Sequence, residues 1–295
     1  MSERVDIEAV LERCRFPAPG SPAICAVSGG ADSTAMLILA VAAGCDVTAV
    51  HVHHGLRLSA DDDATCAEAS AARLGVPFRS ERIELEDGPN LEARARAARR
   101  TAIGGEHMTG HTADDQAETL VLALLRGAGA TGLAAIRPGH RHPILALRSA
   151  ETRAICTSEG FGVAVDASNS DPRFRRNRVR HEVVPLLDDI AERDVTPLFT
   201  RTADLLRADD DLLTSLAEEI DPTDAAAVAA APLPLARRAI RLWLDVAGYP
   251  PDMAGVDRVL DVARGDAAAC QISGVGRVER RAGRLSLVAP EPPAR

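Results

Sequence analysis

Residues Ala23–Val41 read AICAVSGGADSTAMLILAV, and their reading decides the fold. Ala23–Val27 is a short apolar run of the kind that forms a buried strand. Ser28-Gly29-Gly30 interrupts it, and the paired glycines permit sharp backbone angles and remove side chains that would block an approaching group. From Ala31 to Val41 the apolar spacing predicts a helix. A strand that turns straight into a helix aims the free N–H groups of the first helical turn at whatever rests on the turn, which favours an anion such as phosphate. Ser28 and Ser33 add hydroxyl donors. Asp32 would repel a phosphate unless a cation lies between them, so it reads as a Mg²⁺ ligand. The plainer reading is a Gly-rich turn whose Asp and Ser cap the helix. The order strand, SGGADS, helix favours the functional one. The chain contains no lysine, all 34 of its Lys+Arg residues being Arg. That excludes a Walker A phosphate loop and any Schiff-base or lysyl-adenylate chemistry.

Outward from this stretch the pattern alternates. Val47–Val52 reads as a second strand, Asp61–Leu74 as a helix with acidic residues at its start, and Val76–Leu85 as holding a third strand. Asn90–Ile103 reads as a helix carrying Arg94, Arg96, Arg99 and Arg100, Glu106–Gly110 as a fourth strand, and Ala113–Arg126 as a helix that stops at Gly127. The expected class is α/β: a Rossmann-like parallel sheet with helices on both faces. A Gly- and Pro-rich stretch follows Arg126, then a helix over Ser149–Glu159 and a short strand at Val163–Val165. Beyond Pro185 the pattern is mostly helical, with Ala225–Ala231 a helix or linker and Val278–Val288 a hairpin turning at Ala282-Gly283. The division expected is 1–190 for the catalytic domain and 191–295 for a smaller, mostly helical accessory domain that binds nucleic acid, with a hinge around Thr196-Pro197.

The formal charge of -9 opposes a polyanion, so any nucleic acid must be met by a local basic patch. Aromatics are 2% of the chain, which leaves the core to Ala, Val, Leu and Ile. The six cysteines form no CxxC pair and none has a His at zinc-finger spacing, the pattern of reduced thiols in a cytoplasmic protein. No apolar run reaches the ~20 residues of a membrane span, and the charged N-terminus lacks a signal-peptide core.

Three further motifs carry chemistry. His51-Val52-His53-His54-Gly55-Leu56-Arg57 ends the second strand, where a parallel sheet places its ligand crevice. No carboxylate completes a metal set, so His51 reads as facing a nucleotide or as structural. In Gly110-His111-Thr112-Ala113-Asp114-Asp115-Gln116-Ala117-Glu118-Thr119, His111 and Asp114 fall at the fourth strand's end, with Glu118 one turn deeper on the same helix face. These acids suit Mg²⁺ binding or proton transfer from an amine; the alternative is helix capping. In Asp171-Pro172-Arg173-Phe174-Arg175-Arg176-Asn177-Arg178-Val179-Arg180-His181 the arginines form the densest positive patch, suited to bidentate phosphate contact. A solvated helix face is the commoner fate of such a run. The expectation here is that no acid at i+4 neutralises most of these arginines.

SGGADS resembles the loop of the PP-loop ATP-pyrophosphatases. Together with HVHHGLR, GHTADDQAET, Arg126–Leu133 (RGAGATGL) and NSDPRFRRNRVR, in this order, it is similar to the tRNA(Ile)-lysidine synthase family over roughly residues 22–187. Arg100, Thr112 and His142 depart from that family's usual residues. The resemblance implies that ATP adenylates C2 of the wobble cytidine of tRNA(Ile), and that the amine of free L-lysine then displaces AMP. It implies ATP binding by Ser28, Gly29, Gly30, Ala31, Asp32, Ser33 and His51, with Mg²⁺ on Asp32, catalysis by Asp32, His111 and Asp114, and tRNA contacts from Arg94, Arg173, Arg175, Arg176 and Arg178. It also implies that this shorter chain lacks the last domain of the family's longest forms. The oligomeric state, a homodimer among the options, stays open. The competing expectation is a PP-loop enzyme that thiolates a tRNA base, a chemistry that calls for paired thiolates or an iron–sulfur cluster.

Overall fold

Strand β1 (Pro22–Ala26) buries Ala23 and Cys25 and runs parallel to β2 (Asp46–His53), pairing Pro22 with Asp46 through Ala26 with Val50. Strand β3 (Phe78–Arg82) continues the parallel sheet on the other side of β2, from Ala49 against Phe78 to His53 against Arg82. The computed structural model describes residues 5–53, 60–83, 98, 101–164, 171–245 and 251–288. Short parallel strands cannot be joined by a tight turn and need a crossover, here a helix. Helices α2 (Ala31–Ala42) and α3 (Ala60–Leu74) lie at those crossovers. A short helix, α1 (Ile7–Leu11), precedes the sheet, capped by the Asp6 carboxylate.

Helix α2 is buried from Ser33 through Ala40, and Met36, Leu37 and Leu39 are fully enclosed. A helix apolar all round must be wrapped on all sides. Strands β1 and β2, α3 and helix α6 (Ser149–Ser158) supply that wrapping. Ile144, Leu147 and Ile155 join the same core. With few aromatics, density comes from interdigitated aliphatic side chains, and cutting Leu37 to Ala should cost ~2–5 kcal/mol.

The expected fourth strand shrinks to one residue. Met108 bridges Cys25 in parallel, its N–H donating to the Ile24 carbonyl at 2.8 Å and its carbonyl accepting from Ala26 at 2.9 Å. The next N–H, of Thr109, turns away to the Arg141 carbonyl at 2.9 Å, so the ladder stops. Helix α4 (Ala113–Leu124) follows, and Gly127 beyond it takes φ +67°, as expected for a helix stop. A short α5 (Ala130–Leu133) leads on toward α6. Val163 and Ala164 form no strand; instead the Ala164 N–H donates to the Gly29 carbonyl at 2.9 Å. Of the expected helix over Asn90–Ile103, residues 98 and 101–103 are helical and the rest lie outside the described residues. Arg175–Arg178 (α7) passes through a wider π-turn, Val179–Val183, into α8 (Val184–Ala191).

The chain packs as two units, residues 1–204 and 205–295, divided within helix α9 (Thr196–Glu218). In the second unit α10 (Ala225–Ala230), α11 (Leu233–Trp243) and α12 (Met253–Arg264) share a core of Val228, Ile240, Val259 and Leu260. Helix α12 also packs on an antiparallel sheet of β4 (Ala269–Ile272), β5 (Gly276–Arg281) and β6 (Arg284–Val288). The hairpin turns at Ala282 (φ 48°) and Gly283 (φ 79°), the pair of positive angles that matches strand twist. Strand β4 was not anticipated, because four residues carry too short an alternation to register. Among the described residues no helix is long and apolar enough to cross a membrane.

Candidate functional site

The Ser28–Ser33 loop is shaped from inside by one hydroxyl. Ser33 Oγ accepts the Ser28 N–H at 3.1 Å and donates to the Gly30 carbonyl at 3.0 Å, with Ser28 Oγ 3.1 Å away. The proton of Ser33 is therefore used within the loop, while Ser28 keeps a hydroxyl beside it. Gly29 sits at φ +85°, and a Cβ there would come within 2.7 Å of the Asp63 carbonyl oxygen. Gly30 begins α2 with no side-chain cap, so the first-turn amides of Ala31, Asp32 and Ser33 remain oriented as donors. Ala31 adds its backbone amide only. This donor set fits a pyrophosphate group, and near it the buried Thr34 hydroxyl lacks a partner among the described residues.

The second motif abuts this loop through backbone. A Cβ on Gly110 would lie 2.7 Å from the Asp32 carbonyl carbon and oxygen and 2.8 Å from Ser33 N, so only glycine lets the two segments touch. His111 follows directly. Its Nδ1 lies 2.6 Å from Thr109 Oγ1, and its ring meets His142 edge-on with centroids 4.9 Å apart.

The N-terminus of α6 holds two of the expected acids. The Asp32 carboxylate accepts from the Thr152 hydroxyl and, at 3.3 Å, from Ser149 Oγ. Asp114 accepts the Ser149 N–H at 2.7 Å and pairs with Arg148 at 3.0 Å, while Arg148 also reaches Asp194. Burial raises the Asp32 carboxyl above the usual carboxylate range; the Thr152 hydroxyl opposes the shift and the charge of Asp115 adds to it. An acid raised by burial and held by neutral donors is suited to accept a cation. Arg148, Ser149 and Thr152 were missed in the sequence. The helix is legible there, but the face it turns toward Asp32 is set by packing against α2.

Among the described residues one arginine of the patch meets an acid at i+4, in line with the expectation that this spacing neutralises few of them, yet acids at other spacings leave the patch largely neutralised. Arg178 pairs with Glu182 at 2.8 Å at i+4, and Arg173 with Asp171 at 2.7 Å. Arg176 reaches Glu118 at 2.7 Å and Asp115 at 2.9 Å, and Arg180 reaches Glu118 at 2.5 Å. Asp115 also accepts the Thr112 N–H at 2.8 Å, capping α4. Glu118 is 2% exposed, so on α4 it faces these guanidiniums while Asp114 faces Arg148. Arg175 is exposed and has no ion-pair partner among the described residues. Arg94 lies outside them.

His51, at the end of β2, is buried, its Nδ1 2.8 Å from the Val27 carbonyl. It ties the strand end to the residue before the loop, and burial lowers its pKa against the pull of that carbonyl. His54 is outside the described residues. Among those described, no three His, Cys, Asp or Glu side chains converge as a metal cluster. All six cysteines are free thiols, and burial pushes Cys25 and Cys156 up to about 12, far from thiolate.

A family model described as a PP-loop domain matches residues 4–187, and one described as the TilS substrate binding domain matches residues 224–286. The chain is 37% identical to the tRNA(Ile)-lysidine synthase of Nocardia farcinica, over 91% of this chain and 93% of that protein. It is 36% identical to that of Cutibacterium acnes, over 88% and 89%. It is 35% identical to that of Thermus thermophilus, over 98% of this chain and 61% of the relative. Among solved structures, the U34-tRNA thiolase NcsA from Methanococcus maripaludis matches with a TM-score of 0.53 over 68% of this chain and 78% of that one. At 13% identity this is a likeness of fold alone.

Proposed function

The chain belongs to the tRNA(Ile)-lysidine synthase family, and from that premise we propose that it joins free L-lysine to C2 of the wobble cytidine of a tRNA(Ile) with a CAU anticodon. The observation that carries the reading is the backbone contact of Gly110 with Asp32, which sets His111 beside an anion-binding loop. In the first half-reaction the cytidine O2 attacks the α-phosphate of ATP and pyrophosphate leaves. The loop amides of residues 30–33 and the Ser28 hydroxyl face the leaving group. Mg²⁺ bound there would neutralise the charge that develops on the phosphates, and Asp32 would hold it. In the second half-reaction the lysine amine attacks C2 and AMP leaves. His111 would take the amine's proton. Asp114 serves the site through Arg148 and Ser149, by fixing the start of α6 against Asp32.

The tRNA is held by exposed arginines of the 173–178 segment, Arg175 foremost, and by the second unit, whose 224–286 stretch matches a substrate-binding family model. Such an enzyme works in the cytoplasm, where tRNA is matured. The raised Cys25 and Cys156 thiols disfavour the thiolation reading. The test is mass analysis of nucleosides from tRNA(Ile) incubated with the protein, ATP and isotopically labelled lysine. A cytidine carrying the label, with ATP–pyrophosphate exchange that depends on tRNA, is the expected result. Thiolated cytidine, or exchange without tRNA, overturns it.

A further inference from the structure

Three atoms surround the Thr109 hydroxyl, and counting protons and lone pairs there constrains His111. Thr109 Oγ1 lies 2.6 Å from His111 Nδ1, 2.8 Å from His142 Nδ1 and 3.3 Å from the Arg141 carbonyl oxygen. A hydroxyl has one proton and two acceptor sites, and a carbonyl oxygen only accepts. All three contacts are satisfied together in one way: the hydroxyl proton goes to Arg141, and each imidazole donates an Nδ1–H to Thr109 Oγ1. The backbone fixes Thr109 for this, since its N–H donates to the same Arg141 carbonyl at 2.9 Å and its own carbonyl accepts from His111 N–H at 2.9 Å. The two rings stand at 87° with centroids 4.9 Å apart, in edge-to-face contact. Thr109, His111 and His142 are half-buried, where a lost hydrogen bond is only partly replaced by water, while the Arg141 carbonyl belongs to an exposed residue.

We propose that Thr109 is a positioning residue that holds neutral His111 as its Nδ1–H tautomer and so places the ring's lone pair on Nε2. A histidine free in water prefers the opposite tautomer, with its proton on Nε2. The hydrogen bond made by one ring nitrogen sets the state of the other. Resting on the functional reading above, the consequence is that His111 Nε2 is the atom that takes the amine proton. The C–N bond to lysine forms, the C–O bond to AMP breaks, and the proton ends on Nε2 while Nδ1–H stays on Thr109.

The test combines a spectrum with the two half-reactions. Long-range ¹H–¹⁵N correlation of histidine-labelled protein, about two units alkaline of the ordinary imidazole value of ~6.5, reports the tautomer directly. His111 should show a protonated Nδ1 and a bare Nε2. Thr109→Val should shift its proton toward Nε2 and slow lysine transfer from preformed adenylate by about 10- to 100-fold, with ATP–pyrophosphate exchange unchanged. Thr109→Ser should restore both the spectrum and the rate. Lysidine formation by a His111 protonated on Nε2 overturns the proposal alone. So does a Thr109→Val protein whose tautomer changes while lysine transfer does not. A wild-type protein with the expected tautomer that forms no lysidine overturns the functional reading, and the base assignment with it.

Discussion

Asp32 and Glu118 both lie inside the first unit, yet opposite means hold them. Glu118 is nearly sealed, 2% exposed, and receives Arg176 Nε at 2.7 Å and Arg180 Nε at 2.5 Å. Asp32 receives two hydroxyls, from Thr152 and Ser149, and no guanidinium at ion-pair distance among the described residues. Desolvation disfavours a buried charge unless a partner offsets it. For Glu118 two fixed cations do so, and no charge is left over for an incoming ion. For Asp32 the neutral donors offset only part, which is why burial raises its carboxyl. An acid in that state has no fixed cation against it, whereas an acid in the other state braces the fold.

The largest effect that separates the two is expected at Asp32. Asp32→Asn should lower AMP release by at least ~100-fold, the scale of a lost charge-stabilising group. It should also raise Tm at neutral pH. A carboxyl raised in the folded state contributes stability below its unfolded value of ~3.9, and that contribution is lost as pH rises through the raised folded value. The gain from the amide should therefore be absent below pH ~4 and grow as pH rises toward the raised folded value. A variant with normal turnover removes Asp32 from the site, and one with a lower neutral Tm removes the contrast with Glu118.

Glu118 should behave the other way. Glu118→Gln leaves two guanidiniums to share Asp115 as their one remaining acid, and the protein should lose ~1–3 kcal/mol of stability, less than a fully buried pair because the arginines are partly solvated and still partnered. ATP affinity should hold in the same variant. Calorimetry of unfolding and of ATP binding on one preparation separates these effects, and collapse of ATP binding with Tm intact would make Glu118 a nucleotide-facing acid.

The smallest effect lies within the arginine patch. Arg175→Ala should flatten the dependence of tRNA affinity on salt by roughly one unit with no change in Tm, as for the loss of one phosphate contact. Arg176→Ala should leave the salt slope alone and lower Tm, because its guanidinium is held by Asp115 and Glu118. Equal slopes for the two variants would place both arginines on the tRNA.

Much of the site was legible because it is local. Ser28 to Ser33 is six residues long, and its chemistry follows from glycine angles, hydroxyls and a helix start that one segment contains. Gly127 and the Ala282-Gly283 turn were legible for the same reason, since a positive φ is a property of one or two residues. The pairs that neutralise the arginines were not. Arg176 and Glu118 are 58 positions apart, and no helical periodicity links residues across that distance. At i+4 Arg178 alone pairs among the described residues, with Glu182, so that spacing by itself leaves most of the patch charged.

The sequence by itself determined a parallel α/β sheet, the turn that presents backbone donors, and a chain without lysine that excludes Walker chemistry. Periodicity and backbone preference act over a few residues, so they survive in the order of the letters. Only the tertiary structure decided which acids meet guanidiniums and which meet hydroxyls, and that the start of α6 holds Asp32 and Asp114 together. It alone brought His142 across 33 positions to share the hydroxyl of Thr109 with His111. These are matters of which faces pack together, and a carboxylate's neighbours through space, rather than along the chain, set the cost of its charge.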